Sequence, residues 1–99
     1  MKEAIKKILK SYVFRDSKLP KFKINIYVTP DPDRKLYEVE VVLNKEDESF
    51  HSEERAEKIR EKMKTGLEML GLTNVNGRSI FYSDKEVSIT ASGNLRTNR

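Results

Sequence analysis

The sequence predicts an α+β domain of order α-β-β-α-β-β: a mostly antiparallel four-stranded sheet, one amphipathic helix packed on one face, and a short N-terminal helix. Three observations predict it. Apolar residues recur at helical spacing twice, over 2–14 and over 52–70. They alternate with polar residues in strand-like segments elsewhere. Turn-forming residues separate those segments into two pairs.

In the first helix Ile5, Ile8, Leu9, Tyr12 and Val13 form the apolar side, while Lys2, Lys6, Lys7 and Lys10 take the other. Asp16-Ser17 and Pro20 end it. Phe22, Ile24, Ile26 and Val28 then alternate with Lys21, Lys23, Asn25 and Tyr27 as a first strand. Thr29-Pro30-Asp31-Pro32-Asp33-Arg34-Lys35 follows as a turn or loop that denies the strand its continuation. In the second strand Tyr37, Val39, Val41 and Leu43 alternate with Leu36, Glu38, Glu40 and Val42. Antiparallel pairing would set Lys21 and Lys23 near Glu38 and Glu40.

The second helix has Ser52 as N-cap, Glu53 and Glu54 in its first turn, and Gly71 as the residue that stops it. Its stripe is Ala56, Ile59, Met63, Gly66, Leu67 and Leu70, with Leu72 placed to pack back on it. Gly66 would let this helix lie close to the sheet. Thr73–Gly77 reads as a polar turn, 79–82 as a third strand and 86–91 as a fourth. The domain therefore spans 1–91, followed by a polar tail over 92–99. On the sheet's far face the pattern puts Lys23, Tyr27, Glu38, Glu40, Ser88 and Thr90.

Ninety-nine residues allow one thin core, since a chain this size buries roughly two-thirds of its unfolded surface. Cysteine is absent, which removes disulfides, thiolate metal sites and a cysteine nucleophile, and fits a reducing cytoplasmic setting or a particle assembled there. No apolar run approaches the roughly 20 residues of a membrane span. Met1–Lys7 lacks the apolar stretch of a signal peptide. The net charge of +4 is uneven: residues 1–23 carry eight Lys/Arg against Glu3 and Asp16, whereas 24–64 are net acidic.

The sequence offers little for catalysis. His51 is the single histidine and sits beside a helix cap, with no second ligand to share a metal. Asp31 and Asp33 suit a turn that caps its own backbone, having no EF-hand spacing and no third fixed acid. Glu46, Asp47 and Glu48 feed a helix N-terminus. The stretch from Gly66 to Gly71 lacks the Lys-Ser/Thr of a phosphate loop. These features predict no enzyme, no cofactor, no metal site and no small-molecule substrate.

Partner binding is the expectation that remains. Lys6, Lys7, Lys10, Lys18, Lys21 and Lys23, joined by Arg96 and Arg99, are the candidate contact residues. Exposed sheet edges invite pairing, and a polar tail orders against neighbours more readily than in an isolated monomer. The first expectation is thus a non-catalytic assembly or protein-interaction subunit, binding another protein or its own copies, such as a small component of a viral or phage particle. The alternative is a small basic DNA- or RNA-binding protein that uses the same lysines on phosphates, with Tyr12, Phe14 and Tyr27 available for stacking.

Overall fold

The alternation in residues 34–44 builds the strand around which the sheet is organised. The computed structural model describes residues 1–13, 22–30, 33–44 and 53–96, with backbone alone at Val13, Phe22 and Arg96. An α-helix, α1 (Lys2–Ile8), continues as a π-helical turn over Leu9–Val13. Strands β1 (Phe22–Pro30) and β2 (Arg34–Asn44) pair antiparallel. Helix α2 (Glu53–Met69) precedes the antiparallel pair β3 (Thr73–Tyr82) and β4 (Glu86–Arg96). The sheet order is β1-β2-β4-β3, so β4 enters the middle beside β2 and leaves β1 and β3 as the edges. The α-β-β-α-β-β order and the helix-covered antiparallel sheet are those the sequence predicts.

One face of the sheet is apolar because every second residue of the inner strands is. Tyr37, Val39, Val41 and Leu43 of β2 and Val87, Ile89 and Ala91 of β4 are all buried. Ala56, Ile59, Met63 and Leu67 of α2 close over them, with Ile5 and Leu9 from the N-terminal helix. Each Val, Leu, Ile or Met among them contributes about 1.5–3 kcal/mol by leaving water. Helix α2 lies over β3 and β4, and the N-terminal helix packs along its flank.

The end of α2 follows from Gly71. Its φ of +90° is a left-handed conformation that a side chain resists. The amide of Gly71 donates to the Glu68 carbonyl at 2.9 Å and that of Leu72 to the Leu67 carbonyl at 3.2 Å. This pair of bonds is the Schellman arrangement, and the buried Leu72 packs back into the core as its apolar closure.

Six details differ from the sequence-based expectation. The first helix is α-helical only to Ile8. The Ser11 hydroxyl donates to the Lys7 carbonyl at 2.8 Å and competes with the backbone where the turn widens. Second, Gly66 faces the first helix rather than the sheet. A Cβ there would lie 3.5 Å from Ile8 Cγ1 and 3.9 Å from Tyr12 Cδ2. Third, Thr73–Gly77 is strand, not turn. Its Asn and Gly residues serve irregularities in β3: Asn74 has φ 51°, and the register shifts between Thr73 and Asn76 and again between Gly77 and Ile80. Fourth, β4 runs on through Ser92–Arg96 instead of ending in a tail. Those residues pair with Arg34–Glu38, because a backbone ladder needs a partner strand and not an apolar pattern. Fifth, Lys23 lies opposite Val42, while Asn25 and Tyr27 stand opposite Glu40 and Glu38. Sixth, where the sequence predicts a loop over 29–35, Thr29 and Pro30 end β1 and Arg34 and Lys35 begin β2, with Pro30 opposite Lys35. Lys21, Ser52 and residues 97–99 lie outside the described residues.

Candidate interaction surfaces

The face of the sheet away from the helices carries the other half of each alternating pattern. Lys23, Tyr27, Glu38, Glu40, Ser88 and Thr90 share it, as the sequence predicts. Phe81 joins them, opposite Ser88, and is 67% exposed. Sequence reasoning missed Phe81 because the four-residue reading of the third strand gave no register by which to assign its face.

Glu40 stands at the centre of this surface. Ser88 donates its hydroxyl to one carboxylate oxygen, and the Asn25 amide donates to the other at 3.0 Å. These two bonds, with a third from Tyr27, outweigh partial burial and hold the carboxyl below its usual range. Around Glu40 lies a shallow open depression of about 360 Å³ that includes Val42, Phe81, Glu86 and Thr90. Further along, Ser92 is 1% exposed although it alternates onto the same face. Arg78 lies across it, donating from Nε to Oγ at 3.0 Å.

The two sheet edges are built differently. At β3, Arg60 of α2 donates from Nη1 to the Arg78 carbonyl at 2.9 Å. The stems of Arg60 and Lys64 lie over Gly77, where an added Cβ would come within about 3 Å of both. Tyr82, at the same edge, is partly desolvated beside Glu53 and Glu57, and its phenol is pushed upward, with Arg60 opposing. The β1 edge has a continuous register over all nine residues, Phe22↔Leu43 to Pro30↔Lys35. Its inward residues Ile24, Ile26 and Val28 are only half-buried, since α2 lies over the opposite half of the sheet.

The predicted contact lysines fall on two sides of the molecule. Lys6, Lys7 and Lys10 share the outer face of the first helix, opposite the buried Ile5 and Leu9. Lys6 reaches Glu3 at 3.9 Å, a weak surface pair. Lys23 projects from the open face of the sheet, with the core between it and that helix. Arg96 ends β4, while Lys18, Lys21 and Arg99 lie outside the described residues. So do Phe14, His51, Asp31 and the acidic run Glu46–Glu48; Asp33 is exposed beside the start of β2. Tyr12 packs against the core and Tyr27 is 55% exposed.

Among the described residues no three or more His, Cys, Asp or Glu side chains gather as metal ligands, and no helix is long and apolar enough to cross a membrane. No family model, curated protein or solved structure matches the chain.

Proposed function

We propose that this chain is a non-catalytic assembly or protein-interaction subunit that docks another polypeptide along β1. The observation that carries the reading is the contrast between the edges. A nine-residue strand with an unbroken register has, among the described residues, no strand beyond its outer side, and its inward apolar side chains are only partly buried. An added strand would pair along that side and cover those side chains, which is how sheets extend across an interface. Membership of a larger particle is one setting in which such an edge is used.

The open face supports the non-catalytic part. Glu40 is held ionised by its hydrogen bonds, whereas a general acid or base working near neutrality needs its pKa raised. It also sits in a shallow, open depression rather than in an enclosed cleft.

The test is hydrogen exchange on the chain alone and with a partner captured from native lysate. Protection gained across residues 22–30 is the expected result. Protection confined to the N-terminal helix, or none, overturns the reading.

The exposed face of Lys6, Lys7 and Lys10 favours a second reading, binding to nucleic-acid phosphates. Replacing all three by Gln should then lower the slope of log affinity against log salt by up to about 3. Lys23→Gln should leave it unchanged, because Lys23 lies on the other side of the sheet. Absence of binding at low salt removes this reading.

A further inference from the structure

We infer that the polypeptide received by β1 is the β1 strand of a second copy of this chain, joined antiparallel about a twofold axis at Ile26. The inference rests on the edge reading above and names its partner.

The argument comes from the order of residues along the strand. For two identical strands to pair antiparallel with apolar side chains on the same face, the numbers of opposed residues must sum to an even value, since faces alternate with period two. Among those registers, only the one centred on Ile26 pairs all nine residues, Phe22 with Pro30 through to Pro30 with Phe22. In that register Ile24 faces Val28 and Ile26 faces itself. The half-buried apolar row of one copy thus continues into that of the other. The result is an eight-stranded sheet with helices on one side.

The open-face row is equally compatible. Asn25 would face Tyr27, and Lys23 would face Thr29. Lysine on an edge strand ordinarily guards against pairing. Here the guard is ineffective, because the single charged residue of β1 meets a neutral hydroxyl and not its own copy. Pro30 closes each end of the ladder, having no amide hydrogen to extend it. The opposite edge lacks these properties. Strand β3 shifts register twice and has Arg60 tied to its backbone, so it offers no comparable run.

Lys23 and Thr29 are both exposed, so substitution at Thr29 tests the register without disturbing the core. Sedimentation equilibrium should show a reversible dimer. Thr29→Lys would set two lysine pairs across the axis and weaken the dimer about fivefold; Thr29→Glu would create two opposite-charge pairs and tighten it by a similar factor. The chain has no cysteine, so Ile26→Cys provides a second readout: an on-axis disulfide between copies under mild oxidation. A strict monomer up to about 1 mM, or a dimer indifferent to both Thr29 substitutions, overturns the inference. If the chain is monomeric yet residues 22–30 become protected by a different polypeptide, the second copy is excluded and the edge reading stands. If no polypeptide protects them, both fail.

Discussion

The β1 and β3 edges belong to the same sheet, yet one is closed and the other open. Strand β3 lies under α2, has Arg60 bonded to the Arg78 carbonyl, and breaks its register twice. Strand β1 keeps a single register from end to end, and its inward Ile24, Ile26 and Val28 are half-covered. The difference comes from where the one long helix lies. A single seventeen-residue helix cannot roof four strands, since a helix is about 10 Å wide and strands sit about 4.8 Å apart. The inner strands β2 and β4 gain the sealed core, and the inward side chains of both edges stay partly buried, Ile24, Ile26 and Val28 on β1 and Val75 and Ile80 on β3, so the edges differ in backbone regularity and in the Arg60 tie. Irregularity at β3 and regularity at β1 follow the same division: a bulged edge discourages a further strand, and a straight one accepts it.

This contrast can be broken by weighing side chains from the two halves. Leu67→Ala, in the roofed half, removes a fully buried side chain and should cost about 3 kcal/mol, read from urea unfolding. Ile26→Ala, at the open edge, should cost nearer about 1 kcal/mol, because that site can fill with water instead of leaving a void. Equal losses would mean that the two halves are sealed alike.

The contact between the two helices gives the next effect. Gly66→Leu should push the N-terminal helix away and cost about 1–3 kcal/mol. Gly66→Ala should be accommodated at 3.5 Å from Ile8 and stabilise by up to about 1 kcal/mol through helix propensity. Two substitutions of opposite sign at one position show that the glycine leaves room for a methyl and no more.

Cutting the tie at the closed edge sharpens the comparison further. Arg60→Ala should cost about 1 kcal/mol and raise hydrogen exchange around residues 76–80, with β1 unaffected.

The smallest effect is the titration of Glu40, which bridges the halves through Asn25 of β1 and Ser88 of β4. Its folded pKa is depressed below the ordinary 4.5. The stabilisation it brings is therefore complete above that value and is lost as pH falls through the folded pKa. Glu40→Gln should lessen the loss of stability as pH falls below 4.5, measured by urea midpoints at each pH.

Much of this molecule was legible because local chemistry and global packing agree. The Gly71 stop and the return of Leu72 were readable, since a left-handed C′ glycine followed by an apolar residue is a local device. The inward rows of β2 and β4 were readable from period-two alternation. The length of β3 was not, because Asn74, Asn76 and Gly77 look the same in a turn and in an irregular edge strand. Nor was the extension of β4 through Ser92–Arg96, whose pairing depends on eleven residues of β2 lying alongside. Of the surface, the open-face residues of β1, β2 and β4 were readable, whereas Phe81 of β3 was not. That Lys23 stands apart from Lys6, Lys7 and Lys10 was not, because a charge's side of the fold is absent from its place in the chain.

By itself the sequence determined the order of helices and strands and the inward rows of α2, β2 and β4, because periodicity and capping act over a few neighbouring residues. Only the tertiary structure decided that Gly66 receives the first helix, that Asn25 rather than Lys23 meets Glu40, and that α2 covers β3 and leaves β1 open. Those outcomes depend on register and on how layers share a limited covering surface, which residues far apart in the chain settle together.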